Sequence, residues 1–286
     1  MVNPDQTCSS DQWSMLTSSA GISQLAGVLG GFLITAVALL FDRKGRESVH
    51  TLALFSTAVL VLMLASFVLS IMTGTVVPDD GDHRGVCAIA WSQGALSTGI
   101  LAAGTTALFG GLGWMLAGHA VSKVSEQDWD DVRCFSFLAD LGGWLTFAAA
   151  MTMTLVLSET SIDYLHFMYG ERPELWVVVL ITTSAALIIA VDCRLVYLRT
   201  RSLRNSLLEI AAPTRLAMRS VEVATIGILV LAVVGSWLSM SLARFPKGWL
   251  TVPNTGAVVS VLVLTFVVPS VICTAICYSV ASAEDR

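Results

Sequence analysis

Seven long apolar stretches, separated by short polar segments, run the length of the chain. The first, Ser19–Phe41, is 23 residues without a charge and is followed at once by Asp42, Arg43, Lys44 and Arg46. About 20 apolar residues carry an α-helix across the ~30 Å hydrocarbon core of a bilayer, so this stretch predicts a transmembrane helix. Thr51–Thr73, Phe135–Ser158, Leu175–Leu198, Val221–Leu242 and Thr255–Val280 repeat the pattern. The third stretch, Val86–His119, is 34 residues long, more than one straight span requires, and predicts a tilted helix over Trp91–Gly118. Pro269 falls inside the last stretch and is expected to kink it. The predicted fold is all-α, a bundle of seven transmembrane helices.

Charge orders the segments between the stretches. Arg43, Lys44, Arg46, Lys123, Arg133, Arg199, Arg201, Arg204, Arg215, Arg219 and Arg286 fall after odd-numbered or before even-numbered helices, 11 of the 16 basic residues. Arg84, Arg172, Arg244 and Lys247 fall on the other side, where Asp79, Asp80 and Asp82 also lie. Basic residues favour the cytoplasmic side, which predicts an outside N-terminus and a cytoplasmic C-terminus. Residues 1–18 then form an extracytoplasmic tail, 19–280 the transmembrane domain and 281–286 a cytoplasmic tail. The first 18 residues carry no Lys or Arg, so no cleavable signal peptide is expected. Leu203, Leu207 and Ile210 recur at helical spacing and suggest a short amphipathic helix at the inner surface. The segment Glu159–Glu174 is expected as the longest outer loop. Its Tyr164, Phe167, Met168 and Tyr169 would lie among headgroups, cover the top of the bundle or meet a partner.

Composition supports the bilayer as a partner and excludes other classes. Of 286 residues, 55% are hydrophobic and 13% charged, with mean hydropathy +0.76, against about 25% charged in soluble domains. No basic domain for nucleic acid is present. No phosphate loop, dinucleotide fingerprint, Gly-x-Ser-x-Gly elbow or His-Glu-x-x-His pattern occurs, so no enzyme and no cofactor or metal is expected. Arginines outnumber lysines 13 to 3 and no Asn-x-Ser/Thr sequon occurs, which fits an integral plasma membrane protein of a bacterial inner membrane.

Three groups of residues are candidates for function. Gly27, Gly30 and Gly31 in the first helix, with Gly104, Gly110, Gly111 and Gly113 in the third, are expected to let helices approach closely. The Gly-rich third helix would be a closely packed central helix, the wall of a Ser/Thr-dotted path, or re-entrant with a break near Gly110–Gly113. Asp140, Asp192 and Arg194 lie within spans, with His119 and Glu222 at helix edges. All five are expected in the cytoplasmic half, Asp192 about six residues from the inner end of its helix, or roughly 8–9 Å. They form a structural ion pair, such as Asp140 with Arg194, or a vestibule for an ion, a proton or a small polar solute. Cys8 and Cys87 both face the oxidising side and are expected to pair. Cys273 and Cys277, four apart on the last helix, are expected to be buried small hydrophobes.

Two function classes follow. The first is a non-enzymatic subunit or scaffold of a membrane assembly, associating with itself or with another membrane protein through glycine faces, the Tyr164–Tyr169 segment and the inner arginines. The second is a small channel or transporter using a polar vestibule around Asp140 and Asp192. A seven-helix receptor or sensor is a third, less specified class.

Overall fold

The structure, a computed structural model, describes residues 8–10, 13–40, 46–76, 83–124, 129–170, 172–206, 215–244 and 254–279. A two-residue hairpin, β1 (Ser9–Ser10) and β2 (Trp13–Ser14), pairs antiparallel. It leads into α1 (Met15–Leu40), α2 (Arg46–Thr73), α3 (His83–Val124), α4 (Trp129–Tyr169), α5 (Leu175–Ser206) and α6 (Arg215–Ser241), which ends in a 3-10 turn at Leu242–Arg244. The last span, α7 (Thr255–Ser279), joins an α-helix Thr255–Leu262, a π turn Val263–Val267 and an α-helix Val268–Ser279. All seven helices are long and apolar enough to cross a membrane.

The spans fall where the apolar pattern predicts, but the helices run further. α1 starts at Met15 rather than Ser19, so the last residues of the expected tail 1–18 are helical. α3 is one continuous helix of 42 residues, without the break considered near Gly110–Gly113. α4 continues to Tyr169, so most of the expected outer loop is helix. Tyr164, Phe167 and Met168 recur at i, i+3 and i+4 and bury one face of that extension. α5 likewise continues to Ser206. The expected amphipathic helix therefore begins inside α5, and its remaining residues, 207–214, lie outside the described residues, as do the expected C-terminal tail 281–286 and residues 1–7.

α3 is the central helix, packed against α1, α2, α4, α6 and α7, with 72% of its apolar window buried against 11% for α5. Glycine explains how neighbours come so close. A Cβ on Gly104 would lie 3.0 Å from Val61, on Gly110 2.5 Å from Ile276 and on Gly111 2.7 Å from Phe55. A Cβ on Gly142 of α4 would lie 2.9 Å from the Cα of Gly113, so α3 and α4 cross backbone to backbone. On α1, a Cβ on Gly27 would lie 3.3 Å from Ser66 and one on Gly30 3.3 Å from Met63, both on α2. Beside them Ser23 and Ser66 each donate a hydrogen bond to the other's backbone carbonyl, both at 2.9 Å. Gly31 corrects the expectation: a Cβ there meets nothing within 4 Å, because it lies on the outward side of α1.

Pro269 acts through the turn before it. Proline has no N–H for the carbonyl four residues earlier, here that of Thr265. The Val268 N–H instead reaches the Val263 carbonyl, five residues back, which gives the π turn. Gly99 of α3 packs directly against that turn, where a Cβ would sit 3.0 Å from the Leu264 oxygen and 3.1 Å from the Thr265 oxygen. The widened turn is thus held by a backbone contact that any larger residue would displace.

Candidate functional site

Two places concentrate polar and reactive side chains, one at an end of the bundle and one deeper inside it. At the first, Cys8 and Cys87 lie at disulfide distance, with Cα atoms 4.9 Å apart, as expected from the sequence. The pair fixes the N-terminal hairpin onto the start of α3, and Cys8 takes φ +48° to close it. Trp91, one turn further along α3, donates from Nε1 to the Cys8 carbonyl at 3.0 Å. Its ring stacks on Phe167 at 5.7 Å between centroids and meets the edge of Trp13 at 5.3 Å. Arg84 lies over Phe167, 4.5 Å from the ring centre, and donates to the backbone carbonyls of Phe167 and, at 3.0 Å, Met168. Ser10 and His166 share a hydrogen bond of 3.1 Å. α4 ends just beyond at Gly170, φ +69°, whose N–H bonds the His166 carbonyl at 3.0 Å.

The hairpin, α3 and the end of α4 therefore make a packed cap over one end of the bundle. Of the three alternatives for Tyr164–Tyr169, the covering role fits: Tyr164, Phe167 and Met168 are buried inside the chain, and Tyr169 alone among the four is exposed. A contact surface built from all four is corrected by this burial.

The second place is Asp192. It lies on the inward face of α5 and has no exposed surface. Among the described residues it is the one charged side chain that is fully buried. Neither carboxylate oxygen makes a hydrogen bond of normal geometry. Thr274 of α7 is its polar neighbour, and Cys273 and Cys277 lie close by. Ala150, Val196 and Phe147 complete an apolar wall around the two thiols. The Cys273 thiol donates to the Thr106 hydroxyl of α3 at 3.2 Å. One turn away on α7, the buried Ser270 hydroxyl also has no hydrogen-bond partner.

The other sequence candidates do not join this cluster. Arg194 is two residues along α5, about 200° around the helix, and is exposed, as are Glu222 and His119. Asp140 is half-buried on α4. The five residues expected to share one vestibule are thus spread over the surface, with Asp192 alone inside. Its depth differs too. α5 runs past Leu198, and Asp192 lies nine residues before Arg201, the end of the span, or about 13 Å. That is about 6 Å from the middle residue of the span, closer to the centre than expected. Sequence reasoning passed over Ser270, Thr274 and Thr106. The signal was present: Ser270, Cys273, Thr274 and Cys277 fall at i, i+3, i+4 and i+7, a stripe of small polar side chains on an otherwise apolar helix.

The surroundings define what this carboxylate can do. An isolated ionised carboxylate out of water is so costly that it is neutralised, by a proton or by a bound cation. Thr274 and Ser270 can add neutral oxygens to a ligand but no positive charge. Among the described residues no three His, Cys, Asp or Glu side chains gather as a metal-ligand set, the thiol pair with Asp192 included. Comparison with known protein families, curated proteins and solved structures finds no match for this chain.

Proposed function

We propose that this is a small membrane transport protein, a carrier or channel, in which Asp192 binds the cation or proton that is moved or that drives the movement. The observation that carries the reading is the fully buried Asp192 carboxylate, without a charged partner among the described residues and deep within a helix long enough to span a bilayer. Ionisable groups inside spans are costly, and they recur on ion and substrate pathways. The charge bias of the loops favours an orientation with the cap outside and Asp192 nearer the cytoplasmic face, so access would come from the cytoplasm or from the bilayer. The membrane would be the plasma membrane, of a bacterial inner-membrane type. Reconstitution into liposomes tests this. Asp192→Asn, which keeps the shape and removes the charge, is expected to abolish the Na+, K+ or H+ flux of the wild-type protein, and unchanged flux in a folded variant overturns the reading.

The second reading is a non-enzymatic subunit of a membrane assembly. It is favoured by α5, of which 11% of the apolar window is buried, and by Thr182 and Thr183 exposed on its outer side. The particle mass after gentle extraction from the native membrane decides it: a defined complex supports a subunit, a lone chain removes the reading.

A further inference from the structure

The surface nearest Asp192 narrows what its ligand is. Ser184, Ile188 and Asp192 lie at i, i+4 and i+8 on α5 and so share one stripe of that helix. The upper two line a furrow of about 370 Å³ between α5 and α7, whose other wall includes Val267, Ser270, Val271 and Thr274. Val267 and Val271 are exposed and form its outer lip, on the side that faces lipid if the spans cross a membrane. Ser270, buried and without a hydrogen-bond partner, stands at its inner edge. Thr274 both lines the furrow and adjoins Asp192, and so connects the two. A second furrow of about 450 Å³, on the opposite side of α7, supplies the contrast. Val223, Val230, Leu264 and Val268 line it with the other residues there, every one of them apolar. That furrow suits acyl chains alone. The α5–α7 furrow pairs the same kind of apolar wall with the unsatisfied Ser270 hydroxyl at its inner edge and the Asp192 carboxylate one turn beyond Ile188.

We infer that the ligand of Asp192 is an amphiphilic organic cation, a protonated amine with an apolar tail, that enters the α5–α7 furrow sideways from the bilayer. The inference rests on the transport reading above. A small hydrated ion gains nothing from Ile188, Val267 and Val271. Beside the ionised carboxylate an anionic amphiphile is repelled, and a neutral one leaves the charge to be removed by a proton instead. An ammonium group supplies the missing charge and donates to Asp192, Thr274 and Ser270, while its tail fills the furrow.

The test measures saturable binding of radiolabelled decylammonium to the full chain in phosphatidylcholine nanodiscs, above the uptake of lipid-only discs. Decanol and decanoate carry the same tail without the positive charge. Wild-type protein is expected to bind decylammonium saturably and the other two not at all. Asp192→Asn is expected to weaken binding by about tenfold or more, as for loss of one partner of a buried charge pair. Ser184→Trp, which fills the furrow two turns from the carboxylate, is expected to do the same, and Glu222→Gln on α6 to leave it unchanged. Gel filtration and helical circular dichroism establish that each variant is folded. Equal binding by wild type and Asp192→Asn overturns the inference, as does no saturable binding by wild type. Ion flux measured on the same variants separates the two claims. Flux lost in Asp192→Asn without decylammonium binding in wild type leaves transport standing and removes the amphiphile. No effect of Asp192→Asn on either removes both.

Discussion

Trp91 carries three different kinds of contact on one indole: a hydrogen bond to the Cys8 carbonyl, a stack on Phe167 and an edge contact with Trp13. Trp91→Phe keeps most of the apolar area and removes the donor, leaving the Cys8 carbonyl unsatisfied, which costs about 1–3 kcal/mol. Trp91→Ala also opens a cavity and is expected to cost about 3–5 kcal/mol. Thermal unfolding of the two variants in the same detergent should rank them in that order, with similar losses excluding the cavity. Asp192 is the opposite case. No charged side chain among the described residues compensates it, so Asp192→Asn is expected to leave the melting point unchanged or raise it while removing transport. The different outcomes at two buried polar-bearing side chains separate a group kept for packing from one kept for chemistry.

At the scale of elements, the contacts of α7 depend on its π turn. The turn inserts one residue, so restoring regular α-helix would rotate everything after it by about 100°. Pro269→Ala supplies the missing N–H and is expected to do this. A Thr106→Cys variant reports it, because Cys273 lies 3.2 Å from the Thr106 hydroxyl and should crosslink with the new cysteine on oxidation. Adding Pro269→Ala should abolish the crosslink, and an intact crosslink would show that the turn is held by its neighbours instead. Gly142→Leu pushes into the Gly113 backbone and is expected to destabilise the protein by about 1–3 kcal/mol, whereas Gly31→Leu, facing open space, should be close to neutral in a melting experiment. The sequence pattern predicts every span, because a bilayer demands about 20 apolar residues whatever the packing. It misplaces the ends for the same reason. Glu159 and Asp163 look like loop, yet Tyr164, Phe167 and Met168 keep a helical period, and the cap supplies the partner that this face needs. Which glycines pack is illegible, since Gly30 and Gly31 differ by one step around the helix and only the fold decides which step meets α2. The site was half legible: Asp192 stands out as an acid within a span, but that Arg194 and Glu222 turn outward follows from helix rotation, which uniformly apolar neighbours do not reveal.

For the molecule as a whole, the two ends differ. One is closed by the hairpin, Trp91 and the tip of α4; the other holds Asp192 about 13 Å in from Arg201. Sidedness is checked with Val76→Cys and Arg201→Cys, both exposed positions. A membrane-impermeant maleimide added outside intact cells is expected to label the first and not the second, and the reverse result inverts the topology. The Cys8–Cys87 pair, 79 residues apart, has one more consequence. It makes α1 and α2 two arms of a closed covalent ring, and the basic run Arg43, Lys44, Arg46 lies on that ring's circumference. A tryptic cut there opens the ring without dividing the molecule. The nicked protein should migrate as one chain until a reductant is added and as two fragments afterwards, so the first helix stays tethered to the bundle even when the peptide chain joining it is broken.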